Sequence, residues 1–225
     1  MTATYYIDLS QISLALFQER LQTQDLLPGR KILQEQIAAR FETLAGMGIS
    51  NLQELYEALK TKKRLSQFAQ ESGLSLDYLT ILRREVNSYR PNPVNLNKFP
   101  GVDEAGVTRL AAVAIKNSRH LFDQTRTAGQ REALSQQTAI TLETLYELIA
   151  LSDLVRISGI GPVAARIFYD TGVESSAALA EAQATPLCIQ LNELNQEKAY
   201  YKGTISEKDV VYCIKLAQKL PQVTS

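Results

Sequence analysis

Gly159, Ile160, Gly161 and Pro162 follow an apolar stretch and precede Val163, Ala164, Ala165 and Arg166, an order of residue types suited to one kind of chemistry. Glycine tolerates the positive φ needed just past a helix C-terminus, and proline fits the first turn of a helix, where its missing N–H costs nothing. The four residues therefore predict one helix ending and another beginning, with Ile160 as a buried pin between them. Gly161 has no side chain to cover the backbone, so the N–H groups of Val163 and Ala164 are expected to lie open at the positive end of a helix dipole. Such a corner can hold an anion. Arg156 and Arg166 flank it and are expected to assist.

Other basic residues cluster in two places, Lys60, Lys62, Lys63 and Arg64 in one predicted loop, Arg126 and Arg131 in another. If the loops stack, they form a stripe that adds non-specific attraction for phosphates. His120 is the only histidine, and no Ser, Cys or carboxylate can be placed beside it from sequence. Cys188 and Cys213 have no neighbouring His or second Cys at metal-ligand spacing, which predicts buried free thiols. Glu143 and Glu147 lie one helical turn apart without further ligands. Phosphate-loop, zinc-protease and paired-cysteine patterns are missing, and the glycines follow a helix rather than a strand, which excludes a dinucleotide fingerprint. The expectation is a non-enzyme with no cofactor, no metal and no small-molecule substrate.

Lys plus Arg and Asp plus Glu balance at 24 each over 225 residues, so overall charge draws the chain to neither nucleic acid nor an anionic membrane. Any such contact must come from a local patch. Apolar residues make up 45%, ordinary for a globular protein with a buried core. Apolar runs such as Ile12 to Phe17 are too short to span a bilayer, and a signal-peptide pattern is missing from the start, so a cytoplasmic protein without membrane contact is expected.

The elements that must position these residues are helices, because sustained alternation and β-branched runs are scarce. Tyr5 and Tyr6 are expected to pack at a core or its rim. Asp8 or Ser10 is the expected cap of a helix carrying Ile12, Leu16, Phe17 and Leu21 on one face, and a second helix from Ile32 to Leu44 follows the break at 26–29. One constant offset then pairs Leu44 with Leu110, Ile49 with Ile115, Asn51 with Asn117, Leu55 with Leu121, and Ser75 with Thr141. A shorter offset pairs Gly101 with Gly159, Val102 with Ile160 and Leu121 with Leu179. The match resumes at Ser206 after an insertion in the polar segment around 192–202. Three units of about ten to twelve helices in all are predicted. The aligned turns differ: Gly101-Val102-Asp103-Glu104 puts carboxylates where Gly161 and Pro162 stand, and Glu35 takes the place of Gly159 in the first unit. Pro91 and Pro93 mark a seam near 87–96 that Tyr89, Val94, Leu96 and Phe99 should keep packed, and 221–225 should fray.

Ile157, Gly159, Ile160, Gly161, Ala164 or Ala165, and Ile167 together resemble the helix-hairpin-helix motif, whose members often hold a nucleic-acid backbone phosphate on the glycine turn without reading sequence. The layout of most of the chain is similar to the family called domain of unknown function 4332, built from such hairpins. The resemblance implies an all-α fold of tandem helix-hairpin-helix-like repeats. The expected division is an N-terminal helical segment over 1–34, a degenerate repeat over 35–90, a second over 91–153, and a third with the intact turn over 154–225. It also implies a partner, the DNA or RNA backbone, held at Gly159, Ile160, Gly161, Val163 and Ala164. The alternative is a protein-interaction or scaffold module for an unidentified protein, with the hairpins purely structural.

Overall fold

The computed structural model describes residues 4–26 and 28–220. The fold is all-α. Thirteen α-helices and three short 3-10 helices are found among the described residues, more than the ten to twelve expected, and the only β features there are two isolated bridges. The expected fraying of 221–225 lies outside the described residues, as does Leu27 of the break at 26–29. No helix among the described residues is long and apolar enough to cross a membrane. The chain forms two compact units, one over Asp8–Arg90 and one from Pro91 onward that also takes in the N-terminal stretch up to Ile7.

The Asp8–Arg90 unit holds α1 (Leu14–Thr23), α2 (Ile37–Gly46), α3 (Leu52–Leu59), α4 (Lys62–Ser72) and α5 (Leu76–Ser88). Two expectations need correction here. Asp8 caps a 3-10 turn, Leu9–Gln11, and α1 starts only after Ser13, whose hydroxyl accepts from Leu16 N. Nor does one helix run from Ile32 to Leu44: a 3-10 segment, Pro28–Leu33, precedes α2, and Gln36 between them takes a left-handed φ of 46°. Arg40 reaches across that break to Ile32 O at 2.7 Å, satisfying a carbonyl that a continuous helix would have used. Phe17 packs against Phe41 and Tyr89, and Leu21, Leu44, Leu55, Leu79 and Leu82 fill the core around them. Buried Glu85 is paired with Arg30 at 2.6 Å.

The second unit holds α6 (Glu104–Ala112), α7 (Ser118–Gln124), α8 (Ala128–Thr138), α9 (Leu142–Leu154), α10 (Pro162–Asp170), α11 (Ser176–Glu181), α12 (Ala184–Lys198) and α13 (Glu207–Ala217). Tyr5 is buried in it, with its hydroxyl 2.6 Å from Ser118 Oγ and its ring edge-on to Phe122. Leu96 and Phe99 are buried too, and Leu96 N donates to Lys116 O while Ser118 N donates to Val94 O.

Helices this short leave a large share of their backbone groups without intrahelical partners, so their ends decide whether they form. Most starts carry a side-chain acceptor. Asn51 accepts from Glu54 N, Thr61 from Arg64 N, Ser75 from Tyr78 N, Thr141 from Thr144 N and Ser206 from Asp209 N, while Thr127 and Gln130 close a reciprocal capping box. Each such cap is worth about 1 kcal/mol.

Tyr78 is fully buried, its hydroxyl has no hydrogen-bond partner among the described residues, and the Arg40 guanidinium lies 4.4 Å from its ring centre. Burial pushes the phenols of Tyr78 and Tyr5 up to about 12. Because the folded state holds these protons more tightly than the unfolded chain, which ionises near 10, stability is complete below about pH 10 and is lost as pH rises towards 12. Denaturant midpoints measured at pH 9 and pH 11 should fall accordingly. Tyr78→Phe should lessen the fall and, by removing an unpaired hydroxyl, hold or raise stability at neutral pH by up to about 1 kcal/mol.

Candidate functional site

The turn before α10 is built as its residue types require. Ile160 N donates to Ile157 O at 3.1 Å, and both isoleucines are buried. Gly159 sits inside that turn at φ 97°, a conformation L side chains rarely adopt. Space is not the reason for the glycine, since an added Cβ would meet only Cys213 Sγ at 3.9 Å. Gly161 differs. Its backbone is extended, at φ −86° and ψ 179°, and an added Cβ would touch nothing within 4 Å. Neither conformation nor packing demands a glycine there; what the missing side chain does is leave the helix start bare.

Pro162 occupies the first position of α10, and the first backbone donation into the helix is Ala165 N to Gly161 O at 2.9 Å. Val163 N and Ala164 N have no acceptor among the described residues, and Gly161 beside them is exposed. At α6 the corresponding start is closed. Asp103 Oδ1 accepts from Ala105 N and Oδ2 from Gly106 N, both at 3.0 Å. The carboxylate thus occupies the anion place of its own helix, as its residue type suggests.

The two flanking arginines must be corrected. Arg156 is buried to 1% exposure: Nε donates to Tyr5 O at 2.9 Å, Nη2 donates to Thr4 O at 3.2 Å, Nη1 pairs with Asp153, and the guanidinium lies 4.4 Å from the Phe122 ring centre. It anchors the N-terminal stretch. Arg166 is also buried, with Nε on Pro100 O at 2.7 Å, Nη2 on Glu147 at 2.5 Å and Nη1 on Asp170 at 3.2 Å. Burial opposes its charge, but the hydrogen bonds it donates to Glu147 and Asp170 more than offset this and hold its pKa above the ordinary value. Neither guanidinium faces an outside anion.

The basic clusters also sit differently from a free loop. Lys60 caps α3, and Lys62, Lys63 and Arg64 form the first turn of α4, where cations crowd the positive end of a helix dipole. Glu57 answers part of this, pairing with Lys60 at 2.7 Å and Arg64 at 3.2 Å, and its carboxyl is held below the usual range chiefly by the Lys60 hydrogen bond. Lys62 and Lys63 are exposed and without an ion pair among the described residues. Arg126 pairs with Asp123 at 2.7 Å, and Arg131 Nε donates to Thr125 O at 2.9 Å.

His120 is exposed, its ring near Lys116 N and Asn117. Both cysteines are free thiols, but only Cys213 is buried as expected, Cys188 being half-buried, and no group of His, Cys, Asp and Glu able to hold a metal ion is found among the described residues. Sequence reasoning missed a cavity of about 320 Å³ bordered by α7, α8, α9 and the start of α11. Its one outward signal is Tyr146, an aromatic on the exposed face of α9.

Removing the Arg156 side chain takes the cation from half-buried Asp153, which keeps only Ser176 N, and leaves two carbonyls without their donor, so Arg156→Ala should cost about 3 kcal/mol, read as a lower denaturant midpoint. Lys62→Ala and Lys63→Ala should stay within about 0.5 kcal/mol of the parent.

Residues 100–220 match the model of the family described as Domain of unknown function (DUF4332). No match is found among curated proteins or among solved structures. The match takes in Asp103 with its capped helix, both turns and the bare start of α10. It spans more than half of the chain, and the protein therefore belongs to this family.

Proposed function

We propose that the chain is a non-enzymatic helical-repeat protein of helix-hairpin-helix type that binds a nucleic-acid backbone without reading sequence, at the turn from Gly159 to Ala164. The division into a leading segment over 1–34 and units over 35–90, 91–153 and 154–225 is part of this proposal. Its support is the recurrence of helix ends. After α1 the helices fall into three sets of four, α2 to α5, α6 to α9 and α10 to α13, and in each set the second and fourth helices pack together. Gly48, Ala114 and Gly172 all take positive φ three residues before the caps Asn51, Asn117 and Ser175, and Gly73, Ala139 and Ala199 end the third helix of each set in the left-handed region. Alanine in that conformation carries about 1 kcal/mol of strain, so its recurrence argues for a shared backbone template. Bridges join Ser13 with Asn51 and Asn95 with Asn117; in the third set Ser176 N donates instead to Asp153 Oδ2 at 2.6 Å.

The observation that carries the binding proposal is the contrast between Asp103 and Gly161. One helix brings its own carboxylate to its first amides; the other leaves the same amides to an anion from outside. A backbone phosphate fits that place by charge and by hydrogen bonding. Lys62 and Lys63, on the Asp8–Arg90 unit, are exposed cations that offer phosphates a contact of their own. With the two arginines spent internally, roughly two or three phosphates are neutralised, and log K should fall with log salt at a slope of about −2 to −3 on duplex DNA.

Internal use of Arg156 and Arg166 favours a second reading, a scaffold for a protein partner in which the turn serves packing alone. Gly161→Asp separates the two. It should give α10 the cap that α6 has, hold or raise thermal stability, and weaken labelled duplex DNA binding at low salt at least about 5-fold. Equal affinity of the two proteins, or no binding to duplex and single-stranded DNA at low salt, would remove the nucleic-acid reading.

A further inference from the structure

The cavity bordered by α7, α8, α9 and the start of α11 is distinct from the glycine turn, and its polar groups are unevenly satisfied. Ser152 is 1% exposed, lines the cavity, and its hydroxyl has no hydrogen-bond partner among the described residues. Arg126 Nε, also on the wall, is buried and unpartnered in the same sense, although its Nη2 donates to Asp123. Orphaned buried donors cost stability, so their meeting in one cavity needs an explanation. Arg131 is fixed by its Nε bond to Thr125 O and lies over the Tyr146 ring at 5.9 Å, with no ion pair to its terminal N–H groups among the described residues. Phe122 and Ile149 supply apolar wall. Among the acids, Asp153 is spent on Arg156 and Ser176 N, which leaves exposed Glu174 as the one carboxylate on the wall without a cation among the described residues.

We infer that this cavity is a binding site for a small aromatic anion, a ring bearing one phosphate or carboxylate group. The ring packs on Phe122, Ile149 and Tyr146, and the acid group takes a forked contact from Arg131. The Ser152 hydroxyl and Arg126 Nε lie without partners just beneath the cavity wall, and a small side-chain movement lets them donate to the same acid group or to a ring substituent. Guanidinium groups suit planar or tetrahedral oxyanions, and a volume of about 320 Å³ lies at the small end of ligand pockets. The inference does not rest on the nucleic-acid proposal, because no residue of the 159–164 turn borders the cavity.

Phenyl phosphate and benzoate are the probes, followed by calorimetry or ligand-observed NMR on the full chain, with inorganic phosphate and benzyl alcohol as half-ligands. The expected result is saturable binding of both probes, with a dissociation constant on the order of 1 mM, and at least about 10-fold weaker binding of each half-ligand. Arg131→Met should weaken phenyl phosphate about 10-fold, and Gly161→Asp should leave it unchanged. Ser152→Ala, which removes an unpaired hydroxyl, should weaken binding about 3-fold while thermal stability holds or rises. Absence of saturable binding, inorganic phosphate binding as tightly as phenyl phosphate, equal binding to Arg131→Met, or a destabilised Ser152→Ala protein with full affinity would each overturn the inference.

Discussion

Unsatisfied helix ends are the constraint on which this fold depends. The longest helix, α12, has fifteen residues, and α11 only six, so a large fraction of all backbone N–H and C=O groups lies in a first or last turn. No such group can be left dry. The chain answers with Ser, Thr, Asn or Asp at most starts and left-handed residues at many ends, and the apolar faces then meet because the connections are held to a few geometries. Where a cap is missing the exception carries meaning. Gln36 precedes α2 in a left-handed conformation forced by the 3-10 break, Gln183 precedes α12, and Gly161 precedes α10 with a bare corner at the surface.

Buried charge plays a second, supporting part. Arg156 and Arg166 each connect segments far apart in sequence, the N-terminal stretch to the end of α9 and the Pro100 turn to α9 and α10. Such pairs add little net stability over apolar packing, but breaking one leaves a carboxylate uncompensated, so they fix which segments meet. A side chain with five donors does this better than a lysine would.

Much of this was legible in the sequence because capping is local chemistry. Ser75, Thr141 and Ser206 start helices, Gly159 takes a positive φ, and Asp103 closes its own helix, each for a reason contained in a few neighbouring residues. The break at Gln34 to Gln36 was not legible, since neither glycine nor proline marks it and Arg40 supports it from the following helix. Ala114, Ala139 and Ala199 hold positive φ where glycine is the natural expectation, so strain there is set by packing rather than by residue type. The direction of a long side chain is a tertiary property. Arg156 and Arg166 stand beside the turn in sequence yet point inwards, and the cavity around Ser152 unites four elements that no local pattern links.

The central claim is that α10 presents two amides for an anion that α6 supplies to itself. Amide NMR of the whole chain during addition of a short DNA duplex, with dimethyl phosphate as the isolated phosphodiester, tests it residue by residue. Saturating shifts are expected at Val163 and Ala164 and none at Ala105 and Gly106, whose N–H groups Asp103 already holds. Silent Val163 and Ala164 signals, or equal movement at both helix starts, would contradict it.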